Sequence, residues 1–339
     1  MTIDLTDTTT GAIDQALTEA RRRLGGMTMG MVLTLIIVTD EAAQYDAIRA
    51  ANQAAREHPC RVLAIITRKP KSDSRLDAEI RVGESSPGET IVLRMYGPLG
   101  QHADSVAAPL LVPDVPVVTW WPDKAPETPS AHPLGALAQR RVTDSAAADA
   151  PEEVLAALAR AYRPGDTDFG WTRATPWRSL LAATLDQPHP AVGSGEVRAE
   201  ADNPTADLIT AWLGLRLGVP VKRVVSAGPG ITGVTFGTAE GDITISRPDG
   251  RTATLGWPGR PDRMVALHRR DTAELLAEEL RRLDPDEVYA ETLARLDAPG
   301  IETASIETAS IETASIDAPG VEPASVEPDD AEIQGVEEP

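Results

Sequence analysis

Two runs of β-branched and aliphatic residues constrain this chain most. Met31–Thr39 and Arg61–Thr67 are nearly continuous in apolar side chains. That is the pattern of strands buried on both faces, not on one. Between them, 41–57 carries Ile48, Ala51 and Ala55 at helical spacing, follows a possible cap at Asp40, and is stopped by Pro59. Ile80–Val82, Thr90–Met95 and Pro116–Trp120 are further strand candidates, with a turn signal at 85–89 between the first two. Residues 103–111 read as helical, and Pro109 must kink or end that helix. Alternating strands and helices predict an α/β domain with a mainly parallel sheet and helices on both faces. A helix over 10–24, with Thr10 as its cap and Gly25-Gly26 as its stop, precedes this domain.

The second half has a different pattern. Asp144–Pro151 is small and polar and reads as a linker or loop, followed by a short helix over 152–161. Thr175-Pro176 and Asn203-Pro204 each place a capping residue before a proline, the pattern of a helix start. Short β segments follow at 221–226, 231–236, 242–247, 251–257 and 263–267, with a hairpin signal at Asp249-Gly250. They predict an antiparallel sheet. Asp271 with Glu274 marks a capping box, and Asp284-Pro285 opens a last helix; these two helices are expected to close the domain. The expected organisation is an N-terminal helix at 1–27, an α/β domain at 28–163, an α+β domain at 164–296 and a disordered acidic repeat tail at 297–339.

Charge narrows the partners. The formal net charge is −20, and the tail, with its IETAS repeats, supplies twelve acids and no Lys or Arg. Both the tail and the remaining residues are acidic, which argues against a nucleic-acid surface and against binding to anionic lipid. The longest apolar run, 27–38, is too short to span a bilayer. One cysteine, Cys60, leaves no intrachain disulfide, and the chain is expected to be cytoplasmic.

Motifs for catalysis or cofactor binding are absent or fail in context. Gly228–Gly233 matches G-x-G-x-x-G, but strand-like residues follow where the phosphate-binding mechanism requires a helix, so it reads as a glycine-rich turn. No phosphate-binding Gly-Lys pair, nucleophile elbow or metal-ligand spacing of the five histidines occurs. Cys60 enters a buried strand, and Asp166 and Asp168 read as capping carboxylates more readily than as an acid/base pair. No cofactor and no catalytic residue is assigned. The least ordinary stretch is Gly165–Arg178, which gathers Phe169, Trp171 and Trp177 around Arg173 and Arg178 in a chain that is 4% aromatic. It reads either as a joint between domains or as a partner-binding hot spot, where Trp and Arg are enriched. Trp120-Trp121 at a strand end points two rings to opposite faces, one packed and one available. Trp121, Trp171, Arg173, Trp177 and Arg178 are the candidate partner contacts.

Five strings in order, REHPCRVL (56–63), YGPLGQHADSVAAPLLVPDVPVV (96–118), GDTDFGWTRATPWRSLL (165–181), GITGV (230–234) and LRRLDPDEVYAE (280–291), resemble the glucose-6-phosphate dehydrogenase assembly protein family, OpcA, in its actinobacterial form. The resemblance spans most of residues 1–296. It implies two domains, no catalysis, and a partner, glucose-6-phosphate dehydrogenase, whose active oligomer the family promotes and whose NADPH output it raises. The thiol redox control of cyanobacterial relatives has no intrachain counterpart here, because Cys60 stands alone. The alternative is an enzyme or sensor that binds a sugar phosphate or nucleotide at the carboxyl ends of the N-terminal strands, lined by 39–41 and 96–102.

Overall fold

The two apolar runs pair directly. In this computed structural model, which describes residues 1–24, 30–68, 72–83 and 88–296, the strand at Leu33–Thr39 lies parallel to that at Cys60–Arg68, with Leu35 opposite Val62 and Ile37 opposite Ala64. In chain order the first half reads β1 (Thr2–Leu5), α1 (Thr10–Arg23), β2 (Leu33–Thr39), α2 (Gln44–Ala54), β3 (Cys60–Arg68), β4 (Arg75–Val82), β5 (Glu89–Tyr96), α3 (Ala103–Ala107), β6 (Val117–Trp121), α4 (Pro133–Ala136), β7 (Arg140–Thr143), α5 (Pro151–Ala161) and β8 (Asp166–Asp168). Its strands form one eight-stranded sheet ordered β1-β4-β5-β3-β2-β6-β7-β8. The last six in that order are parallel, and β4 and β1 add antiparallel at one edge. Taken by chain order, the six parallel strands stand as 3-2-1-4-5-6, the arrangement of doubly wound nucleotide-binding sheets.

Alternation along each strand divides the core. Leu35, Ile37, Val62 and Ala64 face a layer that includes α2, while Ile36, Leu63 and Ile65 face α1, α3 and Leu134 of α4. Helices on both faces explain why the middles of β2 and β3, Leu35–Val38 and Val62–Ile66, are apolar at every position. Each fully buried aliphatic side chain here contributes about 1.5–3 kcal/mol. The fully buried carboxylate of Glu89, at the start of β5, accepts from Arg61 Nε at 3.0 Å and Arg21 Nη2 at 2.9 Å, fastening α1 to the sheet.

The second half continues with α6 (Phe169–Leu185), β9 (Val192–Ala199), α7 (Pro204–Leu217), β10 (Val221–Val225), β11 (Ile231–Thr238), β12 (Ile243–Ser246), β13 (Thr252–Trp257), β14 (Arg260–Ala266), α8 (Thr272–Arg281) and α9 (Glu287–Leu296). The six strands order as β10-β9-β11-β12-β13-β14. Every neighbouring pair is antiparallel except β10 with β9. Val197, Val234, Phe236, Ile245 and Leu255 share a core with α6, α7 and α9.

Several expectations are corrected. The first helix is capped by Thr9, whose hydroxyl accepts from Ala12 N, and not by Thr10. Strands β1, β7, β8 and β9 have no counterpart in the sequence reading. The segment 103–111 breaks into α3 and a 3₁₀ turn at Ala108–Leu110, as Pro109 demands. Asp286, not Asp284, caps α9 by accepting from Tyr289 N. The capping box at Asp271 and Glu274 is present, but α8 does not close the second core: Leu275, Leu276, Ala277 and Leu280 pack beside α2 on the first sheet. Gly25-Gly26, most of the turn at 85–89 and the repeat tail lie outside the described residues.

The return of α8 to the first sheet carries a buried charge. Glu279, 4% exposed, accepts from Arg140 Nε at 2.7 Å on β7 and from the Thr172 hydroxyl of α6. Removing one member of a buried pair strands the other. Glu279→Gln should therefore lower the unfolding free energy by about 3 kcal/mol in urea denaturation, and a loss below about 0.5 kcal/mol, the range of ordinary surface changes, would contradict this account of the joint.

Candidate functional site

The aromatic–arginine stretch is held by one helix with an unexpected start. Asp168 caps α6, its carboxylate accepting from Gly170 N at 2.8 Å. Thr175-Pro176 therefore does not open the helix but lies inside it. Pro176 has no N–H to offer the carbonyl four residues earlier. That carbonyl, on Thr172, accepts instead from the guanidinium of Arg270. Arg178 is consequently not in a first helical turn. Its guanidinium lies 3.6 Å from the centroid of the Trp171 ring, and its Nη2 donates to the Thr175 hydroxyl at 3.1 Å.

The three candidate tryptophans are interior. Trp121, Trp171 and Trp177 are each 2% exposed. Trp171 Nε1 donates to Asp286 at 2.8 Å, Trp177 lies under Arg247 at 4.8 Å, and Trp121 meets the edge of His132 at 5.4 Å. Trp120 is buried as well, against Phe169 at 5.6 Å, so neither ring of the Trp120-Trp121 pair is left available. Both faces of the sheet are covered, and alternation sends each ring into a core. Arg173 forms a bidentate pair with Asp144, at 2.6 and 2.7 Å. Arg173 and Arg178 are half-buried. The stretch is thus an internal joint in which only Arg173, Thr175, Pro176 and Arg178 are partly exposed.

The carboxyl ends of the parallel strands form the crevice where sheets of this order bind ligands, between β2 and β6. Here the chain's own carboxylates fill that role. Asp40, after β2, accepts from Ala42 N at 2.8 Å and Ala43 N at 3.0 Å. Those N–H groups at the start of α2 are the donors a bound phosphate would use. The Thr39 hydroxyl donates to Asp123 Oδ2 at 3.1 Å, linking β2 to the loop after β6. The remaining space, about 430 Å3, is lined by Asp46, Asp123, Asp144 and Asp271, and by Arg49, which already pairs with Asp46 at 2.7 Å. Burial pushes the Asp123 carboxyl up, the Thr39 hydroxyl pulls it down, and Asp40 and Asp144 push it further up. Such a wall repels phosphate. Loops 39–41 and 96–102 are linked through Arg68, which pairs with Glu41 and donates to the Tyr96 hydroxyl at 3.1 Å.

The opposite electrostatics prevail in a smaller cavity, of about 80 Å3, between α6, the first turn of α7 and the strand ends of the second sheet. Arg173 and Trp177 reach it from the predicted cluster, and Arg247, His268, Arg269 and Arg270 join them. No acidic side chain lines it. The glycine-rich turn, followed by a strand as expected, supplies Gly230 at φ +62°. Arg247, Arg269 and Arg270 gave no signal in the sequence, since each is one arginine beside a turn in a chain with 28 of them. Elsewhere, Cys60 is fully buried and its thiol is pushed up to about 12 by burial, which leaves it inert. Asp166 pairs with Arg141, and Asp168 accepts from Thr143, Ser145 and Gly170, so both are structural carboxylates. Among the described residues no group of three His, Cys, Asp or Glu side chains is placed to hold a metal ion.

Comparisons with known proteins agree across both halves. Residues 51–160 match the family described as the glucose-6-phosphate dehydrogenase subunit N-terminal domain, and residues 164–293 match the corresponding C-terminal domain. No curated protein matches the chain. Among solved structures, the 3-ketoreductase KijD10 from Actinomadura kijaniata is 14% identical with a TM-score of 0.44, covering 78% of this chain and 94% of that one. An oxidoreductase from Sinorhizobium meliloti is 10% identical with a TM-score of 0.45, covering 78% and 95%. Likeness at that level says nothing about activity. The two family matches, which lie in order and meet near residue 160, establish that the chain belongs to the OpcA family of glucose-6-phosphate dehydrogenase assembly proteins.

Proposed function

We propose that this chain is a non-catalytic assembly factor and allosteric activator of glucose-6-phosphate dehydrogenase, supporting NADPH production by the oxidative pentose phosphate pathway in the cytoplasm. The observation that carries this reading is the family match over both halves. The crevice supports it, because Asp40 and Asp123 fill the place where an enzyme of this sheet order would hold a nucleotide. Among the described residues no helix is long and apolar enough to cross a membrane, and the acidic balance disfavours nucleic acid as a partner. Activation then follows from differential affinity: a partner that binds the active oligomer tenfold better than the inactive form shifts the equilibrium by about 1.4 kcal/mol.

Within the candidate contact set, the guanidiniums of Arg173 and Arg178 are the groups a partner can reach, and Trp121, Trp171 and Trp177 shape the surface from beneath. Trp177→Ala separates support from contact. As an interior ring it should cost about 3–5 kcal/mol of stability in urea denaturation. A folded variant of unchanged stability that no longer binds the dehydrogenase would make Trp177 a direct contact instead.

Complex formation is tested by light scattering as the chain is titrated into glucose-6-phosphate dehydrogenase from the same source. A species heavier than either component, with a fixed stoichiometry, is expected, and deletion of 297–339 should leave it intact. Unchanged masses at micromolar concentrations of both would reject the assembly reading.

A further inference from the structure

The arginine cavity contains a charge imbalance that the fold does not resolve. Arg173 is matched by Asp144, and Arg270 by Glu278. Arg247 has no such partner. It is 4% exposed, donates only to the carbonyls of Ile231 at 2.9 Å and Leu267 at 3.0 Å, and leaves its buried Nε without any acceptor. Arg269 makes no ion pair or hydrogen bond among the described residues and is exposed at the cavity mouth. The two guanidiniums converge. A side-chain carbon on Gly230 would stand 3.7 Å from Arg247 Nη2 and 3.8 Å from the Arg269 guanidinium carbon.

Like charges brought together in a partly desolvated site repel, and a buried cation without a counter-charge is costly. Burial, and then Arg269, push the Arg247 guanidinium down to about 10 against a smaller upward pull from Asp249, which makes no ion pair with it, and this leaves Arg247 charged at neutral pH. An anion at the convergence point relieves both costs at once. The remaining lining suits one. Asn203 and Thr205 bring the N-terminus of the 14-residue helix α7, whose dipole favours negative charge, and the Thr205 hydroxyl has no partner among the described residues. The space of about 80 Å3 exceeds severalfold the 10–15 Å3 or so that a single water requires by the same measure.

We propose that this cavity is a binding site for a phosphate group, held by Arg247 and Arg269 with the Thr205 hydroxyl. Several guanidinium donors arriving from different directions suit a tetrahedral dianion better than a planar carboxylate or a spherical halide. The phosphate is either the free ion or the head of a small phosphate monoester, whose carbon chain would meet Trp177 and Pro176 in the lining. This proposal does not rest on the assembly reading, because it concerns the isolated chain.

The test is isothermal calorimetry on the full chain at pH 7.5 with ionic strength fixed by chloride. The probes are inorganic phosphate, glucose 6-phosphate and unphosphorylated glucose, applied to the wild type, to Arg269→Gln, and to Arg263→Gln as a control. Residues 263 and 269 are both exposed, and neither substitution should disturb folding. Saturable binding of phosphate, weakened at least tenfold by Arg269→Gln and unchanged by Arg263→Gln, is expected, with no binding of glucose. Tighter binding of glucose 6-phosphate than of phosphate would identify the monoester as the source, and equal binding the free ion. The absence of saturable binding up to 10 mM (about 2.7 kcal/mol of binding free energy), or equal binding by the wild type and Arg269→Gln, would overturn the proposal.

Discussion

The structure depends on the carboxylate of Asp168. It is fully buried, and it stands where the last strand of the first sheet becomes the first helix of the second half. Four donors satisfy it: the Thr143 hydroxyl at 2.7 Å, the Ser145 N–H and hydroxyl at 2.8 Å, and Gly170 N at 2.8 Å. Burial and the neighbouring Asp144 push its carboxyl up, while those donors hold it down. A buried carboxyl group this well bonded fixes the direction of α6 with respect to β7 and β8. Glu279 extends the joint, because α8 lies on the first sheet while its carboxylate binds Arg140 of β7 and Thr172 of α6. The two sheets are therefore fastened by charges at their junction, and their separate apolar cores need not merge.

This junction also decides where charge can be used. Aspartates crowd the carboxyl ends of the first sheet, and Asp40 bonds the helix donors there itself. The sheet order of a nucleotide-binding fold is retained while its anion site is filled from within. Across the junction, Arg173 faces Asp144 on one side and the arginine cavity on the other. In a chain of net charge −20, that cavity is a local concentration of positive charge.

The sequence made the first sheet legible where strands were apolar. Leu33–Thr39 and Cys60–Arg68 announce themselves because both faces are covered. Strands β7 and β8, RRVT and DTD, did not, because their side chains are buried as charge pairs: Arg140 with Glu279, and Arg141 with Asp166. Pattern reading scores such residues as solvent-facing, and only the partner far along the chain reverses that. Pro176 misled for a related reason. Its helix survives because Arg270, nearly a hundred residues later, serves the carbonyl that proline leaves free. The aromatic–arginine cluster was found by composition, but its inward orientation followed from packing that no local signal encodes. Arg247 and Arg269 come from separate segments and meet beside Gly230, so the cavity could not be read from sequence spacing.

The proposed function requires that the chain raise the activity of glucose-6-phosphate dehydrogenase while forming no NADPH itself. The most direct measurement is the initial rate of NADPH formation by glucose-6-phosphate dehydrogenase at fixed substrate as the chain is added, beside a control with the chain alone. A saturable rise in rate with the dehydrogenase and no NADPH without it are expected. A rate unchanged at saturating chain, or NADPH formed by the chain alone, would contradict it.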